Sequence, residues 1–285
     1  MFHARKAWIV QEAVIRELWV YPVKGCQGVA VDEIDVSRRG IPGDRDFVLW
    51  HDGELVDQKE TPRIASLAAQ FDAPTGTLTF RHADAGEFVH RVRSEGESRA
   101  ARWVLDEFET IDQGDAVATW LSAAIDKKVR LVTPGEPWRI NFPIPQMELL
   151  HGEEKQSFFA ASPVSLASIE SLADLNAKLA TPVPMDRFRM NVVVYGLPAY
   201  REDELATLTN GAVCLEQVMA AERCEIVATD QKTGERNKSD LLKRMRQKPK
   251  EDRIGSGRTF GSYLQVRSPG TLRVGDRLQA QSVQS

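Results

Sequence analysis

Ala221-Glu222-Arg223-Cys224-Glu225-Ile226-Val227-Ala228-Thr229-Asp230-Gln231-Lys232-Thr233-Gly234 places a cysteine directly after an arginine, ahead of an apolar run and a turn. Ile226 and Ala228 alternate with Val227 and Thr229, the period of a strand, and residues 230–234 have hairpin-loop chemistry. The spacing therefore predicts a strand that begins at the cysteine. A thiol beside a fixed positive charge is expected to ionise more readily, and the thiolate is the form that acts as a nucleophile or a soft metal ligand. The same pattern also fits a small buried hydrophobe on a strand. The company Cys224 keeps elsewhere separates the two readings.

Composition narrows the classes. A chain of 285 residues suits two domains or one elaborate one. Its 42% apolar and 27% charged residues are ordinary for a globular protein. A net charge of -4 and a pI near 5.8 give no reason to expect nucleic acid or an acidic membrane surface. Charge is uneven, because residues 232–258 hold ten Lys or Arg against four Asp or Glu. Such a stretch is either a solvated face or a receiver for an anionic ligand or an acidic protein partner. Cys26, Cys214 and Cys224 show no CxxC spacing, which argues against a zinc ribbon, a thioredoxin motif or a ligated iron–sulfur cluster and favours a reducing compartment. His3, His51, His82, His90 and His151 form no HExxH group. With no apolar run of about 18 residues and no convincing signal peptide, the chain reads as cytoplasmic, without a membrane span.

Along the chain, residues 14–20 fit a strand that Pro22 stops, and Lys24-Gly25 follows in a glycine-rich loop with open amides and a cation at hand. Short strands follow at residues 29–36 and 47–50, an Asp52-Gly53 hairpin returns through Leu55 and Val56, and another strand lies at 77–80. Arg45, at a loop-to-strand junction, is a surface ion pair or an anion clamp. Val117, Trp120, Leu121 and Ile125 line one face of a helix over 115–125. Pro134, Pro137, Pro143 and Pro145 mark a connector. The run Ala161-Ser162-Pro163 then reads as a helix start, with Ser162 as N-cap and Leu166, Ile169, Leu172, Leu175 and Leu179 on one face. Its first amides suit a phosphate, although a plain capped helix fits equally. Arg187, Arg189 and Asn191 stand at the mouth of the apolar strand Val192-Val193-Val194 and need partners there. A short basic helix holds Leu241, Leu242 and Met245, and strands at 259–266 and 270–278 look like the last of a closed barrel.

Taken together, Tyr21-Pro22-Val23-Lys24, Gly43-Asp44-Arg45, Ala161-Ser162-Pro163, Asp174-Leu175-Asn176, Arg187-Phe188-Arg189, Asn191, Arg223-Cys224, Phe260-Gly261-Ser262-Tyr263 and Val274-Gly275-Asp276 resemble the MOSC (molybdenum cofactor sulfurase C-terminal) family, in the branch of the amidoxime-reducing components. The resemblance covers almost the whole chain. It implies a mainly β, α+β fold with peripheral helices: a β-barrel companion domain over residues 12–133 and a MOSC barrel over 134–280. In the family a pterin dithiolene holds molybdenum and a protein cysteine adds a sulfur. The resemblance therefore implies Cys224 as metal ligand and catalytic residue, with Tyr263 beside the metal. It implies Lys24, Gly25, Arg45, Ala161, Ser162, Arg189, Asn191, Arg223 and Tyr263 as cofactor-binding residues. Three positions depart from the family pattern: Gly25 replaces a common serine, Glu222 a small polar residue, and Met190 a proline.

The function so implied is molybdenum-cofactor-dependent reduction of hydroxylamines, amidoximes and N-hydroxylated bases. The cofactor would be in its phosphate or nucleotide form. Electrons would come from a separate ferredoxin-, flavodoxin- or cytochrome-like donor docking on the basic stretch. The alternative is a carrier that hands cofactor or sulfur to other enzymes without turnover of its own.

Overall fold

The computed structural model describes residues 8–103, 106–136, 160–236, 240–250, 253 and 255–283. In chain order the strands are β1 (Trp8–Val20), β2 (Val29–Val31), β3 (Glu33–Val36), β4 (Val48–His51), β5 (Glu54–Val56), β6 (Ala68–Asp72), β7 (Thr77–His82), β8 (Gly86–Arg91), β9 (Ser98–Trp103) and β10 (Asp106–Asp112). Helix α1 (Asp115–Ile125) precedes β11 (Arg130–Pro134) and β12 (Val164–Ser168). Then come α2 (Ile169–Asn176), β13 (Val192–Tyr195), β14 (Leu205–Thr209), β15 (Cys214–Glu222), α3 (Leu241–Arg244), β16 (Arg246–Gln247), β17 (Arg258–Ser268), β18 (Gly270–Arg273) and β19 (Arg277–Val283).

Two closed barrels result, as the mainly β reading expects. The first runs β10-β11-β4-β5-β9, and a separate sheet pairs β6, β7 and β8. Its core holds Phe47, Leu49, Leu67, Leu78 and Phe80 with Val117, Leu121 and Ile125 of α1, so the helix lies where its apolar spacing predicted. The second runs β12-β13-β1-β19-β14-β15-β17 and closes through β12 against β17. Strand β1 lies between β13 and β19, so the first described residues are built into the barrel formed by the last. Its core holds Ile15, Leu18, Leu166, Val192, Val194, Leu264 and Leu278.

Two elements depart from expectation. The run after Ser162 is not a helix start: Val164–Ser168 is a strand, parallel to β13 and antiparallel to β17. All five of its residues are buried, so it carries no alternation that would mark a strand. The helix begins one element later, where the Ser168 side chain accepts from Ser171 N, and it ends before Leu179. The second departure is at Cys224. Strand β15 ends at Glu222, and residues 225–228 form a 3₁₀ turn with Cys224 as its N-cap. The turn drops Val227 into a core with Phe188 and Phe260, whose rings stack at 3.8 Å, so the apparent alternation served a turn. The loop beyond is as expected, with Asp230 Oδ1 accepting the amides of Lys232 and Thr233 at 2.9 and 3.0 Å. Of the proline-rich connector, Pro137, Pro143 and Pro145 lie outside the described residues.

Candidate functional site

Residues of both barrels line one cleft with a cavity volume of about 200 Å³ that opens to solvent. Lys24, Gly25, Arg45, Ala161, Ser162, Arg189, Asn191, Arg223, Cys224 and Tyr263 all lie on its wall.

Lys24 and Gly25 sit where the chain leaves β1. Lys24 N donates to Phe47 O at 2.8 Å, continuing the edge past Pro22. Lys24 Nζ lies 4.8 Å from the Trp103 ring centroid. Burial lowers its ammonium to about 8, with Asp57 opposing the shift and Arg45 and Arg189 adding to it. Gly25 has φ +87°, and a Cβ there would stand 2.9 Å from Ile64 Cγ2. Gly25→Ala is therefore expected to destabilise the chain by about 1–2 kcal/mol, read as a lower urea midpoint at unchanged slope.

Arg45 and Arg189 both occupy the left-handed region, at φ 57° and 54°. Such backbone costs roughly 1–2 kcal/mol per residue, and it persists because each side chain is tied down. Both guanidinium groups lie over the Tyr21 ring, at 4.5 and 4.4 Å from its centroid. Arg45 pairs with Asp44 and donates to Arg189 O at 2.9 Å. Arg189 Nη1 donates to Cys26 O and to Gln231 Oε1. Its Nη2 is buried with no hydrogen-bond partner among the described residues. Burial, reinforced by Arg45, lowers the Arg189 guanidinium to about 10.

Asn191 reached the cleft wall, but its amide serves the protein. Its Oδ1 accepts from Ser165 N at 3.2 Å and Ser165 Oγ at 2.8 Å, and its Nδ2 donates to Trp19 O and Asp44 Oδ1 at 3.2 and 3.1 Å. Ser162 is likewise engaged, its hydroxyl donating to Val164 O at 2.7 Å. The true helix start is met by a protein carboxylate: Glu202 accepts from Ser168 N at 3.3 Å and Ser168 Oγ at 3.1 Å. That helix terminus is therefore already met from within, by the Ser168 hydroxyl at Ser171 N and by the Glu202 carboxyl, which burial pushes up. Ala161 and Tyr263 pack with Met219 beside the cleft.

Sequence reasoning missed three side chains. Gln58 Nε2 donates to Gln231 Oε1 at 2.9 Å, and Gln231 Nε2 returns a bond to Gln58 Oε1 at 3.1 Å. Gln58 also donates to Gly25 O, so this pair fastens the Lys24 loop to the turn beyond Cys224 and to Arg189. Asp44 is the third, and Arg45, Asn191 and the Tyr21 amide all converge on it. No local sequence signal marks a glutamine pair separated by 173 positions.

Cys224 is exposed at the cleft, next to Arg223, whose guanidinium bonds to Phe188 O. Among the described residues no group of three or more His, Cys, Asp or Glu is placed to hold a metal ion.

Asp46 adds a pH-dependent feature beside Arg45. Burial, with Asp44 close by, raises its carboxyl to about 7, while the Gly43 amide opposes the shift. A folded-state value above the unfolded one means that its stabilising effect is complete below about pH 4 and is lost as pH rises through 7. Asp46→Asn is expected to flatten that part of the stability curve and to raise the midpoint at pH 8, as measured by urea unfolding across pH 4–8.

No described helix is long and apolar enough to cross a membrane. Residues 12–128 match the MOSC N-terminal beta barrel domain and residues 151–279 the MOSC domain. The chain is 30% identical over 299 residues to mitochondrial amidoxime-reducing component 1 of Homo sapiens, covering 95% of this chain and 86% of that protein. It is 29% identical to mitochondrial amidoxime reducing component 2 of Homo sapiens, again over 95% and 86% of the two chains. Among solved structures, the YUAD protein from Bacillus subtilis aligns with 98% of this chain and 100% of its own at 13% identity and a TM-score of 0.44. With both domain matches in order and relatives aligned over nearly the whole length, the chain belongs to the MOSC family, alongside the amidoxime-reducing components.

Proposed function

We propose that the chain reduces N-hydroxylated or N-oxidised compounds such as hydroxylamines and amidoximes, using a molybdenum cofactor seated in the cleft with Cys224 facing the metal. Family membership associates the chain with molybdenum-cofactor-dependent reduction, and its relatives are named for amidoxime reduction. The observation that carries the reading is Arg189. A buried guanidinium whose Nη2 has no partner among the described residues calls for an acceptor, and it shares the cleft with Arg45, Lys24 and an exposed thiol. An anionic pterin dithiolene with its phosphate fits that donor set, since guanidinium forks take phosphate and a thiolate suits a soft-tolerant metal.

When bound, the group supplies a redox-active Lewis acid for cleaving the N–O bond. The chain's tasks are then binding and proton supply. Arg45, Arg189 and Lys24 offset negative charge, while Asp44 pairs with the Arg45 guanidinium and accepts from Asn191. Reduction of a hydroxylamine to amine and water consumes two electrons and two protons. Lys24 Nζ and Tyr263 Oη are proton-bearing groups on the cleft wall. The cavity walls orient the substrate beside Cys224.

Electrons come from a separate acidic carrier protein. Much of the basic stretch is neutralised locally, by Arg236–Glu225, Arg244–Asp240, Arg246–Asp203 and Lys248–Glu222 pairs. Lys232, Lys243 and Lys250 make no ion pair among the described residues. Helix α3, which bears Lys243, shares a core with the turn after Cys224 through Leu241 and Val227. A carrier docked there approaches the thiol closely.

The test is metal analysis of the purified chain together with turnover of an amidoxime, fed first by a chemical reductant and then by an acidic carrier. Molybdenum near one per chain, amidine formation, and carrier-fed turnover that falls with added salt are expected. Absence of molybdenum overturns the proposal. Transfer of cofactor to an apo-enzyme without turnover points to the carrier function instead.

A further inference from the structure

Glu222 ends β15, two positions before Cys224, and lies on the cleft wall. A carboxylate is out of place in a cleft rich in cations awaiting an anion unless its charge is met locally. Here it is. Glu222 Oε2 accepts from the amides of Gly255 and Gly257 at 2.8 and 3.0 Å, and Oε1 lies 3.6 Å from Lys248 Nζ. Gly257 has φ +68°, and a Cβ there would stand 2.4 Å from Arg253 Cδ, so this loop needs glycine to offer its amide.

A second set of bonds ties the same two segments. Ser256 Oγ donates to Arg223 O at 2.6 Å, and Arg223 N donates to Arg258 O at 2.7 Å. Downstream, Val227 N donates to Cys224 O at 3.3 Å. The Cys224 backbone is thus held on both sides in an extended conformation, φ −104° and ψ −172°. An exposed side chain has few packing contacts to aim it, so its direction is set by its peptide.

We infer that Glu222 is a positioning residue for Cys224: its carboxylate clamps the 255–257 loop to the end of β15 and so fixes the peptide that directs the thiol into the cleft. The thiol's task rests on the function proposed above, but the clamp can be read in the metal-free chain.

The experiment uses the full chain without cofactor. Iodoacetamide alkylation of Cys224 is followed by peptide mass spectrometry against Cys214 as internal reference, with hydrogen exchange at residues 255–257 in parallel. Glu222→Ala is expected to speed exchange at Gly255 and Gly257 by about tenfold or more, as a local opening would. It should also raise the Cys224-to-Cys214 alkylation ratio about threefold or more, a lower figure than the 10–100-fold typical of ligand-orienting partners. Glu222→Gln, whose amide oxygen still accepts both bonds, should restore the ratio, and Ser256→Ala should raise it less. An unchanged ratio in Glu222→Ala, or a Gln variant that behaves like Ala, overturns the clamp. Should the Ala variant fail to fold, an unchanged ratio in Ser256→Ala overturns it. A chain that takes up no molybdenum removes the reductase function and leaves these metal-free readouts standing.

Discussion

Cys224→Ser is expected to lower reductant-fed turnover of a hydroxylamine by more than about 100-fold, since even groups that merely orient a metal ligand are worth 10–100-fold. Serine matches cysteine in shape but offers a hard, protonated oxygen where the proposed metal site calls for a soft thiolate. The fold has little to lose. Cys224 is exposed, and its backbone bond to Val227 N is kept in the variant. Stability should stay within about 0.5 kcal/mol of the parent, as for surface substitutions generally. Circular dichroism and metal analysis alongside the kinetics separate lost chemistry from lost cofactor. Undiminished turnover in a metal-loaded serine variant removes Cys224 from the mechanism.

Asp44→Ala is the change expected to cost most stability. Asp44 is 4% exposed. Its Oδ1 accepts from Tyr21 N at 2.8 Å and Asn191 Nδ2 at 3.1 Å, and its Oδ2 meets Arg45. Deletion strands two buried donors and leaves a largely buried guanidinium without its counter-ion, a loss on the order of 3–5 kcal/mol. The effect reaches the cleft as well, because Arg45 and Asn191 lose the group that fixes them. Asp44→Asn keeps an acceptor and should fall between the two. Urea unfolding measures the series, and a loss below about 1 kcal/mol for the alanine variant would contradict the network.

Sequence patterning found the elements whose two faces differ. The helix over Asp115–Ile125 carries an apolar stripe against the first barrel, and the Asp52-Gly53 turn carries its own backbone chemistry. It failed where faces do not differ. Val164–Ser168 is buried throughout because it closes a ring between β13 and β17, and its two serines lie inside with its apolar residues, so polarity marks no outer face. At Cys224 four residues of alternation proved too short to separate a strand from a 3₁₀ turn.

The chemistry that the chain carries was present in its residues alone: a thiol beside Arg223, the arginines near Val192, a cation in a glycine-bearing loop, and family motifs whose order names the fold. These are local properties of side chains and short spacings. Only tertiary structure decided which groups remain available. Asn191 and Ser162 satisfy their own barrel, Glu202 takes the helix start, and Glu222 is absorbed by a glycine loop, whereas Arg189 keeps an Nη2 without a partner among the described residues. Such allotment follows from hydrogen bonds between residues far apart in the chain, and burial makes each of those bonds obligatory.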